Sequence, residues 1–222
     1  MGNAAAATFS ASTIGKKVTM AVSGIALFGF VFAHMLGNLQ IYLGRQALNA
    51  YSESLHALGH GAGLWVARAL LLGAVLAHIW SAVTLWQRNA SARKVPYKMF
   101  APRASSYASR TMYWSGPLLT LFIVYHLLHL TTGTVHPSYV EGDVYRNVVT
   151  GFLQPAASAF YIVSMLALGL HLYHGVWSLL HTLGLAHPKY NTARHAAATL
   201  FAAMIVVGNI SFPVAVMTGF VK

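Results

Sequence analysis

His34, His78, His126 and His171 each stand inside an apolar stretch that holds almost no charge, in a chain with 12 histidines and no cysteine. An imidazole kept from water has three uses: hydrogen bonding between helices, carrying a proton, or binding a metal through a neutral ring nitrogen. His129 and His174 each follow one of the four by three residues, and so share its helical face. They suit propionate, water or quinone binding, or simple pairing with a neighbouring helix. The depth at which each ring lies separates these uses, and depth depends on the elements that carry the rings.

Those elements are membrane spans. The 222 residues are 57% hydrophobic and 8% charged, and mean hydropathy is +0.59, far from the balance of a water-soluble domain. Five stretches reach spanning length, about 18–37, 64–86, 112–133, 155–181 and 196–221. They leave no room for a separate soluble domain and show no solenoid-type repeat, so residues 1–222 read as one all-α bundle of five transmembrane helices. Lysine and arginine gather on the cytoplasmic side of short loops. With the N-terminus inside, 10 of the 14 basic residues fall there, and Glu53, Glu141 and Asp143 all fall outside. The N-terminus is therefore expected in the cytoplasm and the C-terminus outside. The net charge of +11 follows from this topology; basic residues scattered beside spans do not form a nucleic-acid surface. The segment before the first span lacks a clear cleavage site for a signal peptide, and Ala6 breaks the myristoylation pattern.

At about 1.5 Å per residue, His34 lies roughly 24 Å and His126 roughly 20 Å from the inner starts of spans one and three. His78 and His171 lie roughly 21 and 24 Å from the outer starts of spans two and four, which run the other way. One pair is thus outer and one inner. Two stacked haems require this arrangement, since each iron takes two axial ligands and neutral imidazole is a standard donor. The levels differ by about 10 to 15 Å along the membrane normal. A structural zinc site would instead gather four ligands at one depth, usually with cysteine. Spacing alone leaves His129 as eligible as His126 for the outer pair. Gly29 and Gly73 precede two ligands by five residues and would leave room for a porphyrin, or serve bare helix crossings. Met35 reads as packing. His56, His60, His136, His181, His187 and His195 fall at interfaces or in loops, where solvated side chains are expected.

Without cysteine the chain can hold no cysteine-ligated iron–sulfur cluster, and it has no dinucleotide fingerprint or P-loop. Soluble redox chemistry must come from partners. The inner loop QRNASARKVPYKMFAPRASSYASR, residues 87–110, is the longest cytoplasmic surface and the candidate docking site. On the outer side, Glu53 lies in LNAYSESLHALGH with His56 three residues on, a pair suited to proton exchange at a membrane edge if the segment is an interfacial helix.

The segments GIALFGFVFAHMLGNLQIY, SYASRTMYWSGPLLTLFIVYHLLH and LGLHLYHGVWSLLHTLG resemble the single-chain, five-helix, two-haem cytochrome b subunit of succinate dehydrogenases and fumarate reductases. The resemblance covers all five spans. It implies two b haems, with one axial ligand on each of the first four helices: His34 and His126 for the outer haem, His78 and His171 for the inner. It favours His126 over His129. It also implies flavoprotein and iron–sulfur subunits on the cytoplasmic side, quinone as the lipid-soluble partner, a bacterial cytoplasmic membrane, and an allowance for higher oligomers of the complex. Reaching the outer side with two haems suits low-potential menaquinone, as in related enzymes, and such enzymes carry an acid in the region of Glu53. Two rivals remain open here: a solitary two-haem cytochrome, and a transporter that uses buried histidines as a proton relay.

Overall fold

The computed structural model describes residues 11–92, 107–184 and 187–222, and its regular elements there are helical throughout. In chain order they are α1 Thr13–Asn38, α2 Arg45–Ala57, α3 Ala62–Ser91, α4 Tyr107–His126, α5 Val144–Phe152, α6 Pro155–Thr182 and α7 Asn191–Met217. A π turn, Leu127–Thr131, continues α4. The helix starts follow local chemistry. Ser12 caps α1 by accepting the Gly15 N–H at 2.9 Å, Pro155 opens α6, and Asp143 caps α5 by accepting from Arg146 N.

Four stretches, Thr13–Leu43, Arg45–Ser91, Pro155–Thr182 and Pro188–Met217, are long and apolar enough to cross a membrane. The remaining expected span, 112–133, corresponds to α4 and its π turn. The last expected span, 196–221, is displaced from the helix, which begins five residues earlier at Asn191 and ends at Met217, where Gly219 turns the chain at φ +74°. The segment 48–60 is helical as far as Ala57, the end of α2, and a turn through Gly59, His60 and Gly61, all at positive φ, leads into α3. The short helix α5, between the third and fourth spans, has no counterpart in the sequence reading. Most of the candidate docking loop, residues 93–106, lies outside the described residues.

The long helices pack as two units. α1 lies along α3; α6 lies between α4 and α7. Close approaches at glycine mark the contacts: a Cβ on Gly169 would sit 2.5 Å from Val206 between α6 and α7, and one on Gly208 2.4 Å from the Met35 sulfur between α7 and α1. The buried apolar cluster, which includes Met35, Ile41, Leu48, Phe152, Tyr161, Phe212 and Val216, draws on α2 and α5 as well as the long helices. A polar latch joins those two short helices. Asp143 pairs with Arg45 and accepts from the Asn49 amide at 3.0 Å, and Asn49 in turn accepts from Tyr145 N at 2.9 Å. The Asn49 amide foremost, then the Arg146 N–H and the Arg45 guanidinium, hold the Asp143 carboxyl below its usual range against the opposing effect of burial.

Candidate functional site

The four histidines meet across the seam between the two units. The ring centroids of His34 on α1 and His126 on α4 are 5.9 Å apart, and those of His78 on α3 and His171 on α6 are 6.2 Å apart. Neither pair comes from helices that pack extensively together; each ring reaches across from its own unit. Two imidazoles bonded to one metal at roughly 2.0 Å put their centroids about 6 Å apart. Among the described residues no cluster of three or more metal-binding side chains occurs.

Hydroxyls orient three of the four rings. Ser23 on α1 lies 3.2 Å from His78 Nδ1, Ser115 on α4 lies 3.3 Å from His171 Nδ1, and the Tyr161 hydroxyl on α6 lies 3.2 Å from His126 Nδ1. Each contact joins helices that pack side by side. Ring faces are fixed as well, by aromatic residues one turn earlier: Phe30 stacks on His34 at 5.3 Å and Phe122 on His126 at 5.7 Å. His78 lies against α1 beside Gly24, where a Cβ would be in ordinary contact with its Cε1 at 3.4 Å. Among the described residues a Cβ on Gly29 or Gly73 would meet nothing within 4 Å, so neither glycine serves a crossing between the described helices.

The two units repeat one pattern. Ser23 precedes His34 by 11 residues on α1, and Ser115 precedes His126 by 11 residues on α4. In both units the first helix supplies a serine to the histidine of its neighbour, His78 or His171, and its own histidine to the His34–His126 pair. The spacing separates the two levels by about 16 Å along the helix. Serine, tyrosine and glycine at these positions carry no signal of their own; the repeated Ser-x10-His spacing is the trace that sequence reading missed.

His129 lies beside the outer pair and is only 1% exposed. Its Nδ1 is 3.1 Å from the same Tyr161 hydroxyl, and its ring stacks on His136 at 5.0 Å. His136, expected to be solvated, is half-buried, with Nε2 2.9 Å from the Asn147 carbonyl and Nδ1 accepting from Ser138 N. Gly151 on α5 admits both rings: a Cβ there would be 2.8 Å from His129 Cε1 and 3.1 Å from His136 Nε2. His174 keeps its face beside His171, and its Nδ1 is buried without a hydrogen-bond partner. Glu53 and His56 are exposed on α2, where His56 Nδ1 bonds the Ser52 carbonyl. The acid that the fold buries is Asp143, 7% exposed.

The family model for the succinate dehydrogenase/fumarate reductase transmembrane subunit matches residues 87–210, more than half of the chain. The chain belongs to this family. The match takes in α4 to α6 and most of α7, with His126, His129, Tyr161, His171 and His174, and begins after His34 and His78. No curated protein and no solved structure matches the chain. Membership in the transmembrane-subunit family gives the bundle its oxidoreductase setting and makes it one component of a larger complex.

Proposed function

We propose that this subunit is a two-haem cytochrome b that anchors the succinate dehydrogenase/fumarate reductase complex and passes electrons between its iron–sulfur subunit and quinone, with menaquinone the favoured class. The observation that carries this reading is the pair of histidine contacts at 5.9 and 6.2 Å across one seam. The residues fit haem chemistry: three ring Nδ1 atoms face hydroxyls, leaving each Nε2 for iron. A bound haem would supply a one-electron carrier at each level. His34 with His126, and His78 with His171, would hold the two groups. Ser23, Ser115 and Tyr161 orient the rings, and the apolar helix faces exclude water. The placement of His126 against His34, with His129 turned to Tyr161 and His136, supports His126 as the outer ligand.

The reading also takes α4 as a fifth crossing, since its 20 residues span about 30 Å, the thickness of a bilayer core. It places the N-terminus and the flavoprotein and iron–sulfur partners on the cytoplasmic side of a bacterial membrane, where the loop basic residues gather. Exposed Glu53 and His56 would exchange protons at an outer quinone site. Purification of the complex tests the proposal: pyridine haemochrome analysis is expected to give two b haems per chain. Redox titration should lose the outer component in His34→Ala and His126→Ala and the inner one in His78→Ala and His171→Ala. A stoichiometry of one or none, or loss of a haem in His129→Ala with both kept in His126→Ala, would defeat the assignment.

A further inference from the structure

Arg194, in the first turn of α7 at its inner end, is 7% exposed, and its Nε and one terminal nitrogen are buried without a hydrogen-bond partner. Among the described residues, the side-chain bond made by this guanidinium goes to the neutral Asn191 amide oxygen, at 3.0 Å. A buried cation needs a counter-charge, and the chain has none to offer on that side. Its three acids are Glu53, Glu141 and Asp143, and Asp143 is engaged with Arg45 at the outer end. Lys16, the other buried cation expected on the inner side among the described residues, differs: its ammonium sits 3.7 Å from the Trp80 ring centroid. Arg194 is 5.9 Å from the centroid of Trp177, at the limit of such contacts.

Two more orphan polar atoms lie on the facing helix. Trp177 Nε1 and His174 Nδ1, three residues apart on one face of α6, are buried and unpartnered. The helix dipole at the start of α7 favours negative charge at the same end.

We propose that the inner ends of α6 and α7 form a binding site for an anionic oxygen group, a carboxylate or phosphate, paired with Arg194 and hydrogen-bonded by Trp177 and His174. This goes beyond the electron-transfer reading, and only one of its two sources depends on that reading. The oxygen comes either from a carboxylate of the inner haem, since His174 is one turn from His171, or from the phosphate of an anionic phospholipid.

The test compares the purified complex carrying Arg194→Gln or Arg194→Lys with the unmodified complex, by redox titration and by extraction and mass spectrometry of retained phosphatidylglycerol. A carboxylate ligand predicts that Arg194→Gln lowers the midpoint potential of the inner haem alone, because a neutralising cation has gone. A lipid phosphate predicts unchanged potentials and loss of retained phosphatidylglycerol. Arg194→Lys should preserve most of either signal. Trp177→Phe, which removes one neutral donor, should give a smaller change in the same direction, and it stands in if Arg194→Gln fails to assemble. A folded variant with unchanged potentials and unchanged phosphatidylglycerol overturns the proposal. An unmodified complex without haem would instead defeat the electron-transfer reading, and the lipid measurement would still decide the anion site.

Discussion

Tyr161 offers one hydroxyl to two imidazoles. On the proposed function His126 would bind iron through Nε2, and its Nδ1–H would then donate to the Tyr161 oxygen. The Tyr161 proton then goes to His129 Nδ1, and the proton of His129 must sit on Nε2, toward Gly151 and His136. Tyr161→Phe breaks both bonds. It strands a buried His129 nitrogen, at a cost of roughly 1–3 kcal/mol, and it removes the acceptor that enriches the electron density of His126. Both haems should remain, with the outer midpoint potential raised and the inner unchanged in a redox titration. Ser115→Ala should act on the inner component instead. If neither variant moves its own component, the hydroxyls do not tune the ligands.

Among the elements, α5 and the π turn decide what surrounds the outer pair, and both escaped sequence reading for the same reason. Nine residues of α5 are too few for a hydropathy window to register, and a π turn has the composition of any apolar helix. The pairing of His34 with His126 and of His78 with His171 was legible because it needs only span boundaries and a fixed rise per residue. The partners Ser23, Ser115 and Tyr161 were not, because they depend on which helices become neighbours. Gly151→Ala tests the role of α5. Helix propensity alone would stabilise the variant by about 1 kcal/mol, but the new methyl would enter the space of a fully buried His129 ring, and overpacking typically costs about 1–3 kcal/mol. Net destabilisation is expected in thermal unfolding. Stabilisation would show that the ring can give way.

The latch between α2 and α5 makes a separate prediction. Because the Asp143 carboxyl is held below its ordinary value, the stability it contributes is complete above about pH 4 and is lost as pH falls through the depressed value. Asp143→Asn should cost about 1–2 kcal/mol at neutral pH and flatten the acid limb of a stability profile. An unchanged acid limb would assign that limb to other groups.

At the scale of the whole molecule, charge is distributed almost without acids. Three carboxylates, all expected on the outer side, face fourteen lysines and arginines. The expected orientation rests on this asymmetry. It could not reveal that Asp143 would be buried and Glu53 exposed, because both sit in short outer segments of similar composition, and only the docking of α5 on α2 distinguishes them.

The seam between the two units also bears on how the protein is made. α1 and α3 leave the ribosome and enter the bilayer before α4 and α6 exist, so for part of its synthesis the first hairpin carries His34 and His78 with nothing opposite them. On the proposed function, each haem then joins an early hairpin to a late one, and pigment supply becomes a checkpoint in biogenesis. Cells starved of haem should accumulate inserted but unjoined chains, which membrane proteases remove sooner than the finished subunit. Pulse-chase labelling with and without a haem precursor would read this directly, and equal lifetimes would show that the units join unaided.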